Sequence, residues 1–304
     1  MSLSNSSNLT SSSVATGSYS DHVDSKIKCC FKTCFKCNSF EMFGAATTFF
    51  ETGNLSCFEN EREHTQREVI LPCNNDNNGD EEIKTIKFCN NHLSITFNDL
   101  IVHSTSIDFM NLSGGLTQRK RNALVRVNVK CQGQSFDNLL WGQGAKKMLG
   151  LPNAGGASVL SEVLSCEVME RILGVELFKT EMEVKYLFIN QPMTDYLVKF
   201  HHPQQKILFC LGVSVTRAYA PKRRYTKQDA HKLLTRKLLG VNSSTRNIIN
   251  AKVWKQILHI WCPNGKVANV VRRAYAKLDD TYKSNTVVVL SVVDSMWVFT
   301  NGKT

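Results

Sequence analysis

The chain has 304 residues, of which 42% are hydrophobic, 9% aromatic and 21% charged, enough to bury one large core with or without a small appendage. No apolar run reaches the roughly 18 residues of a membrane span, and the opening Met1–Ser13 has neither a basic stretch nor an apolar one, so a secreted or transmembrane protein is not expected. An odd number of cysteines, 11, in a chain placed in the nucleus or cytoplasm points to reduced thiols rather than a disulfide framework.

The formal charge of +11 is concentrated. Between residues 217 and 255 stand Arg217, Lys222, Arg223, Arg224, Lys227, Lys232, Arg236, Lys237, Arg246, Lys252 and Lys255 against one acid, Asp229, whereas residues 1–216 are close to neutral. Phosphate neutralisation with counterion release supplies much of the affinity for nucleic acid, so this window predicts an RNA or DNA partner. The expected contacts are Lys222, Arg223, Arg224, Lys227, Lys232, Arg236 and Lys237. An acidic protein, or no partner at all, is the other reading of the same basic face.

In chain order, residues 1–28 form a Ser/Asn-rich tail too poor in large apolar groups to repay the entropy of ordering. Residues 29–150 read as a β-rich region of unassigned fold, with alternating segments at Leu93–Phe97 and Leu124–Val129 and an acidic loop over Asn74–Glu82. The glycines of Ser113-Gly114-Gly115 and Trp141-Gly142-Gln143-Gly144 read as loops and match no phosphate-binding pattern.

From 151 to 304 the signals become regular. A helix is expected from Ser158 to Leu173, stopped by Gly174. Strands follow at Val175–Phe188, Thr194–Phe200 and Ile207–Tyr219. Thr226, with Asp229 three residues on, caps a second helix that Gly240 should end. Ile257–Trp261 is a strand, Asn264 caps a third helix, and Thr286–Val293 has the unbroken apolar run of a central parallel strand. The order α-β-β-β-α-β-α-β predicts an α/β domain, a mixed central sheet flanked by helices.

This order, with Glu162 on the first helix and Asp195 opening the second strand, resembles the PD-(D/E)XK, or restriction-endonuclease-like, nucleases. The resemblance implies an α-β-β-β-α-β core, a metal held by Glu162 and Asp195, and a Glu-x-Lys on the third strand. Here Ser214 and Thr216 stand at those two positions, so the catalytic set it implies is Glu162, Asp195, Ser214, Thr216 and Arg217, with Arg217 or Lys237 replacing the lysine. Hard cations need oxygen ligands and polarise phosphate. With one carboxylate missing, weak or lost phosphodiesterase activity with Mg²⁺ or Mn²⁺ is expected. A literal Glu-x-Lys, Glu183-Val184-Lys185, offers a shifted register. Glu162 beside Glu167 and Glu170 also fits a solvated helix face, and Asp195 after Pro192 also fits a turn cap. A scaffold without catalysis is the second functional reading.

Cys30, Cys34 and Cys37 have the spacing of the iron–sulfur motif of radical S-adenosylmethionine enzymes, but Lys36 stands where an aromatic is usual. A structural zinc on Cys34 and Cys37 with two of Cys57, Cys73, Cys89 or His92 is a further possibility, against free buried cysteines.

Overall fold

A computed structural model describes residues 67–73, 82–132, 135–152, 158–188, 190–201, 207–300 and 302. The tail, Cys30, Cys34, Cys37 and Cys57 lie outside them, as does most of the acidic loop.

Ten strands form one sheet. In chain order they are β1 (Arg67–Cys73), β2 (Glu82–Cys89), β3 (His92–Thr96), β4 (Leu100–Thr105), β5 (Ala123–Cys131), β6 (Glu176–Thr180), β7 (Tyr196–His201), β8 (Leu208–Arg217), β9 (Val253–Cys262) and β10 (Thr286–Val293). Their spatial order is β1-β2-β3-β4-β5-β10-β9-β8-β7-β6. β1 to β5 form an antiparallel meander, β6 to β8 form another, and β8, β9, β10 and β5 run parallel between them. The sheet is therefore mixed, and it crosses residue 150 without a break.

The helices are α1 (Ser106–Thr117), α2 (Gln143–Gly150), α3 (Val159–Leu173), α4 (Lys227–Asn247), α5 (Gly265–Ala276), α6 (Asp280–Lys283) and α7 (Trp297–Thr300). Alternation along β10 shows the layering, since successive side chains on a strand face opposite sides. Val287, Val289 and Val293 join the apolar side chains of α1, α3 and α7. Val288 and Leu290 join Ala230, Leu234 and Leu238 of α4 and Ala268 and Val271 of α5. A strand buried on both faces between two parallel neighbours needs the continuous apolar run seen in its sequence.

Several local expectations change. The strand from Val175 ends at Thr180, because Thr180 and Glu183 form a reciprocal capping box that turns the chain into a short 3₁₀ segment, Glu181–Glu183. Helix α3 ends as expected on Gly174, whose φ of 62° is the left-handed region open to glycine. Helix α4 begins on the Thr226–Asp229 box but runs through Gly240 to Asn247, since Val241, Ser244 and Asn247 continue its buried face. Ser113 to Gly115 lie inside α1, whereas the second glycine group divides: Trp141 and the N-cap Gly142 precede α2, and Gln143 to Ala145 begin it. No described helix is long and apolar enough to cross a membrane.

A buried ionic knot joins the turn before β4 and the segment before α2 to α3. Arg171 bonds both carboxylate oxygens of Asp99, donates from Nε to Glu167 Oε1 at 2.5 Å and from Nη2 to the Leu140 carbonyl at 2.5 Å. Asp99 in turn accepts from the Leu140 N–H at 2.6 Å, and Glu167 from the Gly142 N–H at 2.7 Å.

Two stability changes are expected in urea unfolding. Arg171→Ala strands two buried carboxylates and should cost about 3–5 kcal/mol. Gly240→Ala should gain up to about 1 kcal/mol of helix stability, because a Cβ there would meet Pro192 at an ordinary 3.4 Å.

Candidate functional site

The site forms where β7 starts short of its neighbour. The last rung between β7 and β8 pairs Tyr196 with Val213, and the Asp195 N–H still reaches the Val213 carbonyl at 3.1 Å. Val215, two residues on, has its backbone served by side chains instead. Its N–H is accepted by Asp195 Oδ2 at 2.5 Å, and its carbonyl accepts from Lys237 Nζ of α4 at 3.3 Å. The Val215 N–H and carbonyl, left without a β7 partner, thus fix a carboxylate and an ammonium.

Glu162 enters from the first turn of α3, where its Oε1 accepts from Ser158 Oγ at 2.5 Å. It is buried, so the solvated-face reading is excluded. Asp195 is half-buried, and desolvation pushes its carboxyl up to about 7; the charges of Glu162 and Glu181 push the same way, while Lys237 and the Val215 N–H oppose them. Glu162, Asp195, Glu181, Thr180, Met182 and Leu151 line one cleft.

Arg217 belongs to the same neighbourhood. Burial lowers its pKa and Glu162 holds it up, and its Nη1 donates to the carbonyls of Val298 and Phe299 at 3.3 Å each. Ser214 and Thr216 do not join the acids. Strand alternation sends them to the face of α4, in register with Leu258 and Ile260 of the α4–α5 core, and the buried Ser214 hydroxyl has no hydrogen-bond partner. The residues of β8 on the α3 face are Val213 and Val215. The two hydroxyls are therefore not stand-ins for the missing Glu and Lys.

The shifted register places Glu183 in the 3₁₀ segment, with Lys147 Nζ at 2.8 Å from both its oxygens, and Lys185 in the loop beyond. Neither lies on a strand. Of the zinc candidates, Cys89 and His92 pair across β2 and β3, and Cys89 is an exposed free thiol. Among the described residues no group of three or more His, Cys, Asp or Glu is arranged to hold a metal.

The basic window divides. Lys222, Arg224, Lys227, Lys232 and Arg236 are exposed. Arg223 forms a two-pronged ion pair with Asp229 at 2.6 and 2.7 Å. Lys255 is fully buried, its Nζ bonded to the carbonyls of Gln118, Arg119 and Arg121 at 2.6–3.2 Å. Lys237 bonds the Val215 carbonyl, close enough for its charge to act on Asp195. Sequence reasoning missed Glu181, which it placed in the middle of a strand; the Thr180-x-x-Glu183 box was the signal that the strand had ended.

Over 162 residues the chain is 35% identical to the AAC-rich mRNA clone AAC4 protein of Dictyostelium discoideum, a match covering 51% of this chain. The chain spans 23% of that relative's length, and the relative's name states no activity. No family model matches the chain.

Asp195 titrates near 4 when unfolded and at about 7 when folded, so the native state binds its proton more tightly. Its stabilising contribution is present in acid and is lost as pH rises through 7. Asp195→Asn, which keeps an oxygen for the Val215 N–H, should stabilise the protein by up to about 4 kcal/mol above pH 7. In urea titrations at several pH values, that advantage should shrink to nothing below pH 4.

Proposed function

We propose that the protein is a nuclear or cytoplasmic nucleic-acid-binding protein whose core carries a weak metal-dependent phosphodiesterase site of the PD-(D/E)XK type. The observation that supports this most is the convergence of Asp195, Glu162 and Lys237 on the end of β8. The order α3-β6-β7-β8-α4-β9 follows the family's α-β-β-β-α-β arrangement, with a lysine delivered from the helix instead of the third strand.

A divalent ion fits the donor set. Asp195 engages Val215 through Oδ2, and Glu162 engages Ser158 through Oε1, which leaves Oδ1 and Oε2 as hard oxygen donors. Mg²⁺ is commonly held by one or two carboxylates together with water and substrate phosphate, so two donors suffice when the substrate completes the shell. Bound there, such an ion would polarise a phosphodiester and acidify a water. The chain's own part is to keep the two carboxylates desolvated and to set Lys237 and Arg217 around them as countercharge. The exposed cations of the loop leaving β8 and the start of α4, Lys222, Arg224 and Lys227, would bind flanking phosphates.

One observation favours a second reading, a binding module without turnover: β8 presents Val213 and Val215, not a carboxylate, to the α3 face.

Oligonucleotide binding measured across a salt series should give a log–log slope of roughly −3 to −4 if about four cations touch phosphates. A flat slope, or no binding at low salt, would sink the nucleic-acid reading. Slow cleavage is expected with Mn²⁺ in preference to Mg²⁺, since Mn²⁺ stands above it in affinity for mixed ligands. Glu162→Ala and Asp195→Ala should abolish cleavage while leaving binding intact. Salt-dependent binding without turnover in any divalent metal selects the second reading.

A further inference from the structure

The loop between the 3₁₀ segment and β7 presents apolar side chains to solvent on a fixed backbone. Tyr186 bridges Ile248 just beyond α4, and both face inward with Val184, Leu197 and Val253. The adjacent Leu187 and Ile249 consequently face outward, 61% and 60% exposed, and Phe188 beyond them is 62% exposed. This backbone is pinned. The Leu187 N–H reaches the Asn247 carbonyl at 2.9 Å, and the Ile249 N–H reaches the Lys185 carbonyl at 3.0 Å. Asn247, itself buried, clamps Phe188 from both sides, accepting from its N–H at 2.8 Å and donating to its carbonyl at 2.9 Å.

An exposed ring on a backbone held by a buried amide is a prepaid contact surface, because little order remains to be imposed when a partner arrives. The surround is cationic. Lys185, Arg246 and Lys252 are exposed and form no ion pair among the described residues. Residues 184–194 and 243–252 contain no Asp or Glu. Apolar faces flanked by cations alone match a partner that carries flat apolar groups on a polyanionic backbone. A second protein surface would require an acidic patch and an apolar patch in the same register.

We infer that the Leu187–Phe188–Ile249 surface is a stacking platform for single-stranded nucleic acid, with Lys185, Arg246 and Lys252 on its phosphates. The inference rests on the nucleic-acid reading above and narrows its substrate class. A duplex hides its base faces in its own stack and offers only backbone, whereas an unpaired strand can lay a base on Phe188. The loop carrying the platform is bounded by the 3₁₀ segment that holds Glu181 and by Asp195, and both acids line the acidic cleft. A strand bound on the platform is thereby held within one loop of the carboxylates.

The test uses the full chain, a labelled single-stranded oligonucleotide and the duplex made from it, with affinity read by fluorescence anisotropy. The single strand should bind more tightly. Phe188→Ala should weaken it by about tenfold, as expected for loss of one base–aromatic stack, and leave duplex affinity unchanged; Phe188→Trp should retain it. Lys185→Glu with Lys252→Glu should flatten the salt dependence for the single strand. Equal losses on both forms, or no effect of Phe188→Ala while binding persists, overturn the platform and leave the nucleic-acid reading standing. Absence of binding to either form at low salt overturns both. A dimer in light scattering that Phe188→Ala dissociates would assign the surface to a second copy of the chain and also overturn the inference.

Discussion

The guanidinium of Arg171 is the point on which the rest of the structure is hung. A buried arginine requires acceptors for its whole fork, and here they come from three stretches far apart in sequence: Asp99 at the turn before β4, Leu140 in the segment before α2, and Glu167 one turn back on α3. Those carboxylates hold the guanidinium more firmly protonated than an ordinary arginine, against the burial that opposes its charge. Burial also raises Glu167, and Glu170, deprived of such a partner and beside Glu167, is pushed up to about 7. A knot of this kind is weak evidence for net stability, since desolvating its members offsets much of the attraction. Its effect here is positional, because it fixes the rotation and depth of α3 against the sheet.

A second buried polar chain sets α3 from the other side. His259 of β9 shares hydrogen bonds with Ser165 of α3 at 2.6 Å and Ser291 of β10 at 2.6 Å, and Ser165 also meets the Tyr196 hydroxyl at 2.8 Å. Serine and histidine in contact invite a nucleophile reading. Every member of this set is sealed from solvent, and burial pushes the imidazole down to about 3, so it stays neutral and admits no substrate. With Arg171 and His259 holding α3 at two heights, Glu162 on its first turn is delivered to the end of β7 in one orientation. The cleft is a consequence of those two anchors and of a strand that starts too late to pair with Val215.

The parts of the fold that were legible in the sequence are those governed by local chemistry. Gly174, the Thr226–Asp229 box, the Asn264 cap and the unbroken run of β10 each act within a few residues, and each lies where expected. What was not legible depends on distant partners. Gly240 is a stop signal in isolation, but the buried face beyond it and the loop carrying Pro192 and Thr194 keep the helix going, with Thr194 and Ser244 hydrogen-bonded at 2.9 Å. The faces of β8 could not be assigned from alternation alone, since both faces are apolar and a shift by one residue exchanges them. That is why Ser214 and Thr216 were placed beside the acids. Glu162 and Asp195 were named through the nuclease resemblance, which places an acid on the first helix and another at the start of the second strand, whereas Glu181 sits in a turn that periodicity does not reveal.

Charge shows the same division between composition and structure. A window of eleven cations reads as a uniform basic face, yet Lys255 closes the carbonyls at the exit of α1, Arg223 locks the cap of α4, and Lys237 and Arg217 serve β8 and α7. Each of these donates to a carbonyl or a carboxylate of the fold, with which a phosphate would have to compete. The remaining cations divide by position: Lys222, Arg224, Lys227, Lys232 and Arg236 lie in the loop after β8 and on α4, and Arg246 and Lys252 beside the apolar loop ahead of β9. The acidic cleft lies where β8 ends and the loop ends, at Asp195. On the proposed nucleic-acid reading, a polyanion bound by both cationic sets would meet the carboxylates of that cleft, and a cation shared between phosphate and carboxylates would remove the repulsion.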